Sequence, residues 1–421
     1  NQFVYTNALK NISPPIRLSI NPYLAALTQN NDAQGWEQSL RGGMDIKWGI
    51  NESYTMDMTL IPDFSNVRTD PQVLNLTPFE IQFQEFRPFF TEGIDLFARG
   101  ELFYSRRIGD VPIRRSEAIQ KANASTNLAL LENPQVSPLL NATKISGRNH
   151  KGLGMGLING IVNSTEAVYR NYDTGQKERL QTQPLTNYNM IVIDQNLANN
   201  SSLALINTNV WRSGSTYDAN VTALQTRLRN RKQTYQFSGE GVLSQKYYTD
   251  GADIGHKVNV SAGKISGLWR WEAAYSEMSD NYDPNDMGFL LFANDRQIRS
   301  SASYNKNRPF GRFVRGSISL FSTYRELYQP SRFASWETGV NTFILSKNFW
   351  GYGLNMRMRP IETRDYFEPR TPDFSEFLPL PANGNVEAFL SSNYARTLAI
   401  NLRGEYTYWN QEGRYEYYLR C

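Results

Sequence analysis

Along much of the chain, apolar and polar residues alternate one for one. Trp350, Tyr352, Leu354, Met356 and Met358 fall on one face of an extended segment, against Gly351, Gly353, Asn355, Arg357 and Arg359 on the other. Leu398, Ile400, Leu402, Tyr406 and Tyr408 oppose Asn401, Arg403, Glu405 and Thr407. Trp269, Trp271 and Tyr275 likewise oppose Arg270, Glu272 and Ser276. Successive side chains of a strand point to opposite faces, so each segment predicts a strand with one apolar and one strongly polar surface. Earlier in the chain, residues 16–27, 40–50 and 54–61 predict strands, the last two joined by a polar turn at Asn51-Glu52-Ser53. From residue 141 onward, strand-length segments recur between turns. The whole pattern predicts an all-β, antiparallel fold of roughly 16–20 strands, inside the range of bacterial membrane barrels.

A soluble sandwich would alternate in the same way. Two features favour a transmembrane β-barrel. Aromatics cluster at segment ends, as interfacial girdles require, and charges repeat on the polar face, where a lumen would lie. Connections also alternate in length. Residues 164–184, 279–295 and 361–384 read as long extracellular loops, whereas 148–151, 199–200 and 347–348 read as tight periplasmic turns.

The stretch 60–109 breaks this rhythm, and residues 62–138 are expected to form an insert and loop within the 1–421 barrel domain. Pro62, Pro71, Pro78 and Pro88 forbid a continuous helix. Phe79, Ile81 and Phe83 alternate with Glu80, Gln82 and Gln84 and predict a short strand. Glu85, Arg87, Phe89, Phe90 and Glu92 then interleave rings with opposite charges. Such a mixture is costly in plain water and in plain lipid, so the segment is expected in or across the lumen, packed on protein. Its candidate contacts are Glu80, Glu85, Arg87, Glu92, Arg106 and Arg107, with Arg270, Arg357 and Arg403 as strand-borne partners for the three glutamates. Residues 117–131, rich in Ala and Asn, predict a short helix.

Composition sharpens the picture. Tyr (24), Phe (22) and Trp (8) are abundant although the mean hydropathy is −0.53, which suits an apolar outside around a polar inside. No run approaches the roughly 18 apolar residues of a membrane helix. Forty-four basic against 40 acidic side chains leave +4, too balanced to suggest nucleic acid. Arg outnumbers Lys, 32 to 12, which favours forked pairing with carboxylates. Cys421 is the single cysteine, so no internal disulfide is possible.

Chemistry is harder to find. His150 and His256 are the two histidines, both expected at the surface, so no Ser-His or Cys-His pair and no tetrahedral metal site is expected. Asp280, Asp283 and Asp286 form a weak candidate cation loop, although their spacing misses the calcium-loop pattern and turn chemistry accounts for them. The glutamates and arginines of the insert could act as a glycosidase-like acid–base pair; a structural ion network accounts for them more simply. The glycine-dense GLGMGLING at 152–160 reads as a strand where backbones approach closely, because the Lys-Ser/Thr ending of a phosphate loop is absent. No catalytic residue and no cofactor is expected.

Four motifs, in order, carry a resemblance. They are IPDFSNVRTD…QVLNLTPFEIQFQEFRPFFTEG…LFYSRRIG in the insert, NATKISGRNHKGLGMGLING at 141–160, NNSSLALINTNVWR at 199–212 and NYDPNDMGFL at 281–290. Together they resemble a family of bacterial outer-membrane β-barrel proteins of unknown function, in which the barrel usually follows a domain resembling a family-nine carbohydrate-binding module. The resemblance implies the outer membrane of a Gram-negative bacterium, outer-membrane lipid as surroundings, and other outer-membrane or surface proteins and glycans as partners. It also implies passage of a small polar solute or anchoring of the carbohydrate-binding module, with a glycan or lipid hydrolase or a structural subunit as alternatives. Asn1 follows no leader and Arg420-Cys421 ends a strand on a charge where such barrels finish on an aromatic, so a fragment of a longer chain is expected.

Overall fold

Extended backbone carries nearly all the regular structure. The computed structural model describes residues 17–31, 35–62, 70–77, 79–214 and 216–421. Residue 16 of the first expected strand, residues 63–69 of the IPDFSNVRTD motif and Pro78 lie outside the described residues. The chain divides into two compact units. One takes in the described residues of Asn1–Arg68 with Glu85–Leu96 and Ile108–Ile191; the other takes in those of Thr69–Gln84 with Phe97–Arg107 and Val192–Cys421.

The first unit begins with β1 (Leu18–Asn31), β2 (Gly35–Gly49) and β3 (Tyr54–Leu60). A single-turn helix α1 (Pro88–Thr91) and helix α2 (Arg115–Asn123) follow. Then come β4 (Leu128–Glu132), β5 (Leu139–Arg148), β6 (Leu153–Val162), β7 (Thr165–Asn171) and β8 (Lys177–Gln183). In β9 (Thr186–Leu197) the chain passes from one unit to the other. β1, β2, β3, β5 and β6 pair antiparallel in that order. Register fixes the faces: Leu18 lies opposite Trp48 and Ile20 opposite Ile46, while Lys47 lies opposite Asp57, and Asp57 opposite Lys144. One face is therefore apolar and open, with Leu24 80% exposed, and the other is charged.

On that charged face the insert finds its seat. Gly154 and Gly160 of β6 leave room for Leu96 and Ile108; a Cβ at either glycine would stand 3.1 Å from the apolar side chain. The glycine-dense strand is thus a close-approach surface, as its sequence predicts.

Two expectations give way here. The helix expected over 117–131 ends at Asn123, and 128–132 forms β4. The loop expected over 164–184 holds β7 and β8, which complete a three-stranded sheet with β4. Tyr169, Ala167 and Ala118 form its buried centre, and the Tyr169 hydroxyl donates to the Ala118 carbonyl at 3.0 Å. Burial of Leu128 and Leu130 against that centre outweighs the local helical preference of an Ala/Asn-rich stretch.

The second unit is a meander. β10 (Ser201–Arg212), β11 (Asp218–Arg229), β12 (Tyr235–Tyr248), β13 (Gly251–Lys264) and β14 (Trp269–Met278) lead into β15 (Asp295–Lys306), β16 (Phe313–Glu326), β17 (Phe333–Ser346) and β18 (Gly351–Arg359). A small hairpin of β19 (Thr363–Asp365) and β20 (Leu378–Leu380) interrupts, before β21 (Asn383–Ser391), β22 (Asn401–Trp409) and β23 (Tyr415–Arg420). Each main strand pairs antiparallel with the next. Counting β9, eighteen strands take part in the main ladders among the described residues. Leu354 lies opposite Ala388, and Leu402 opposite Leu390, on the apolar face; Asn355 lies opposite Glu387 on the polar one. Leu398 and Ile400, expected within a strand, precede β22.

Where a ladder glycine faces an aromatic residue, the ring folds across the strand onto it. Phe389 covers Gly353, Tyr408 covers Gly384 and Phe321 covers Gly339, each pair directly opposite in register. The ring fills the space a side chain would take and shields the backbone, a known use of edge-on glycine–aromatic pairing. A Cβ on Gly353 would stand 2.0 Å from Phe389. Gly353→Ala is therefore expected to cost about 1–3 kcal/mol. Gly241→Ala, with nothing within 4 Å of its Cβ position, is expected to be near neutral. Denaturant midpoints of the two variants in detergent measure the contrast.

Candidate functional site

Residues 70–77 and 79–87 carry no regular secondary structure, so the strand expected at Phe79, Ile81 and Phe83 does not form. Side chains take the place of a ladder. In the second unit the Tyr104 hydroxyl accepts from the Phe83 amide at 3.0 Å and lies 3.1 Å from the Phe83 carbonyl, to which it can donate. The Asn75 amide donates to the Phe79 carbonyl at 2.6 Å. Phe79, Phe292, Phe367 and Phe374 pile ring against ring at 4.8–6.5 Å, joining the insert to the 279–294 and 361–377 loops.

Residues 97–107 are stitched to the loop between β14 and β15. Tyr104 N–H donates to Met287 O at 2.7 Å, Phe289 N–H to Glu101 O at 3.1 Å, and Arg107 Nε to Gly288 O at 3.2 Å. Gly288 is required by this approach: a Cβ there would lie 2.7 Å from Glu101 O. On the polar face, Arg99 pairs with the fully buried Asp194 at 2.9 Å and Lys257 lies 3.9 Å from Glu101.

The same loop carries a buried ionic knot. Arg212, at the end of β10, pairs with Asp286 at 2.6 Å; their side chains are 2% and 5% exposed. Lys246 of β12 reaches Asp283 at 2.6 Å and Asp286 at 3.3 Å. The Tyr217 hydroxyl donates to Asp286 Oδ1 at 2.9 Å, and the Arg212 guanidinium lies 4.4 Å over its ring. Burial alone would raise the Asp286 pKa, but Arg212 and Lys246 more than offset it and hold the carboxyl below its ordinary value. Burial, with Asp286 alongside, pushes the Tyr217 phenol up to about 12, so it remains a donor at neutral pH.

The insert's charges pair close to home. Arg107 grips Glu80 with both guanidinium nitrogens, at 2.8 and 2.7 Å, and Arg106 pairs with Asp70. In the first unit Glu85 and Arg87 pair at 2.7 Å; Arg87 also donates to Ile108 O at 2.7 Å and lies 4.5 Å over the Phe90 ring. Glu92 pairs with Lys47 at 3.0 Å. Buried Lys144 donates to Phe89 O at 2.8 Å and to Glu92 O at 2.5 Å, holding α1 against β5.

The expected strand partners are engaged elsewhere. Arg403 pairs with Glu387 at 2.7 Å, Arg357 lies 3.5 Å from Glu337, and the Arg270 side chain donates to Gly267 O at 3.4 Å. Neighbouring strands bring a carboxylate beside Arg403 and Arg357, which leaves no need for a distant one. The cation-loop candidates are also dispersed. Asp283 and Asp286 are held by Lys246 and Arg212, Asp280 is exposed, and no such cluster forms among the described residues. His150 is exposed in a turn as expected. His256 is only partly exposed, with Nε2 3.0 Å from Glu277 and its ring edge-on to Tyr328 at 5.5 Å.

Residues 14–421 match the family described as Domain of unknown function (DUF5916). The chain belongs to that family. The DUF5916 chain is also similar to the outer membrane protein opdK from Pseudomonas aeruginosa, with a TM-score of 0.31 and 11% identity over 82% of this chain and 84% of that one. No curated protein matches it.

Sequence reasoning missed Arg212, Tyr217, Lys246, Lys144 and Asp194. Each sits in an ordinary strand or turn, and only tertiary placement reveals its role. For Asp286 the acid–base consequence is definite. Its folded pKa is lowered, so its contribution is present above the unfolded value of about 3.9 and lost as pH falls through the folded value. Arg212→Met leaves a buried carboxylate short of its closest cation and is expected to cost about 3–5 kcal/mol at pH 7. Melting temperatures from pH 7 to 3 should show an acid limb that Asp286→Asn diminishes; an identical limb in that variant would remove Asp286 from the account.

Proposed function

We propose that this DUF5916 chain is a transmembrane β-barrel of the Gram-negative outer membrane, whose polar face lines a path for a small polar solute and whose insert restricts it. One observation carries the reading: one face of strand after strand exposes its apolar side chains. Leu205, Leu224, Ile298, Leu320 and Leu354 are 40–55% exposed, and the residues beside each turn to the other face. In water such a surface would drive association; in lipid it is the solvated face. Consecutive antiparallel pairing satisfies the backbone along the main ladders, as a bilayer demands.

The insert supports the constriction half of the reading. In each unit its charges are neutralised by fixed partners, and in the second unit its rings stack on loop rings. A segment so held narrows a passage. The acid–base alternative gains nothing from this geometry, because Glu80, Glu85 and Glu92 each bind a cation of the protein. Anchoring of a carbohydrate-binding module at the surface, and with it contact with glycans or other surface proteins, is compatible with the same barrel.

Two measurements test the proposal. In refolding into lipid bilayers, Leu354→Arg is expected to cost about 2–4 kcal/mol and Asn355→Arg much less; equal costs would count against a lipid-facing Leu354. In planar bilayers, removal of residues 70–84 is expected to raise single-channel conductance. A folded deletion variant with the parent conductance would place the segment outside the path.

A further inference from the structure

Several cations on the polar face of the second unit are paired with carboxylates. Arg325 meets Asp295 at 2.8 Å, Arg359 meets Glu337 at 2.9 Å and Arg403 meets Glu387 at 2.7 Å. Arg227 of β11 and Arg299 of β15 make no hydrogen bond or ion pair among the described residues, and both are exposed. They occupy one rung of the ladder. Arg227 lies opposite Ser238, Ser238 opposite Ser261, Ser261 opposite Ala274, and Ala274 opposite Arg299.

That rung is the floor of a cavity of about 320 Å³, lined by both arginines and by Arg99 of the insert. Arg99 is already bound to Asp194. Three small side chains between two free arginines leave the space open. Four strand spacings separate the arginines by about 19 Å along the sheet. Were both guanidinium groups to turn toward each other they would close most of that span, and the remainder would suit a short dicarboxylate. Forked guanidinium donors match carboxylates in a bidentate way. Ser238 and Ser261 offer hydroxyls to hydroxyls on the ligand.

Resting on the passage reading above, we propose that this cavity binds a small hydroxylated dicarboxylate, one carboxylate on Arg227 and the other on Arg299. Glu272, one rung away and also lining the cavity, makes no ion pair among the described residues. Its charge opposes such a ligand and sets an upper limit on affinity, as a passage that must release its solute requires.

Titration calorimetry on the detergent-solubilised protein tests this with galactarate, galacturonate and galactose, which carry two, one and no carboxylates. Galactarate should bind tightest, galacturonate at least about tenfold more weakly, and galactose weakest. Arg227→Gln and Arg299→Gln should each lower galactarate affinity at least about tenfold, and the double variant should bring it to the galactose level. Arg308→Gln, in an exposed turn, should change nothing, and Glu272→Gln should tighten galactarate. Equal binding of galactose and galactarate, unchanged affinity in both single variants, or weakening by Glu272→Gln would each overturn the proposal. Melting curves of the single variants establish that they fold. The two readings fail separately: galactarate binding without bilayer conductance removes passage and keeps the cavity, whereas conductance without binding does the reverse.

Discussion

One face of the main strands is largely apolar and open to the surroundings, and the residue beside each such side chain turns to the other face. That coupling between neighbours is the constraint on which the remaining structure depends. It gathers arginines, lysines and carboxylates onto one surface, where each needs a partner or water. Late in the second unit the ladder itself supplies partners, as between β15 and β16 or between β21 and β22. Early in that unit several inward residues of β10 and β11 are apolar and buried, among them Ala204, Ile206, Val221 and Ala223. Here the insert provides the cover: Gly100 comes so close to the next polar rung that a Cβ would meet Gln225 at 2.8 Å and Glu240 at 3.1 Å.

This division explains where the ionic knot sits. A buried ion pair adds little net stability, since desolvation consumes most of the attraction, but it tolerates few alternative positions. Arg212, Lys246, Asp283 and Asp286 join β10 and β12 to the 279–294 loop, and that loop in turn hydrogen-bonds to residues 101, 104 and 107. The chain of contacts fixes the loop and the insert together. Lys144 performs the equivalent task in the first unit by binding two carbonyls around α1.

The alternation made the strands, their antiparallel order and the polar face legible in the sequence, because a period of two is a local signal. Close backbone approach at the GLGMGLING strand was legible for the same reason. Ion pairing was not. Glu80 and Arg107 are 27 residues apart and meet through a fold-back of irregular chain that no periodicity encodes. Glu85 and Arg87 are two residues apart and meet because the extended backbone turns between them. β7 and β8 of the small sheet escaped notice because β8 and the turn before it are polar, so composition imitates a loop while burial of Tyr169 decides the outcome.

The arginines of the polar face separate into two kinds, and the difference is physical. A guanidinium locked to a cross-strand carboxylate is neutralised and positioned, and it shapes a wall. A guanidinium without a partner keeps its hydration and its charge, and it offers both to whatever enters. Arg227 and Arg299 stay in the second state because the residues between them are Ser238, Ser261 and Ala274, none of which carries a carboxylate. A longer side chain on that rung would fill the space; an acidic one would quench the charge. The same short residues that leave the arginines unpaired also create the volume in front of them, so space and charge arise from one feature of the ladder.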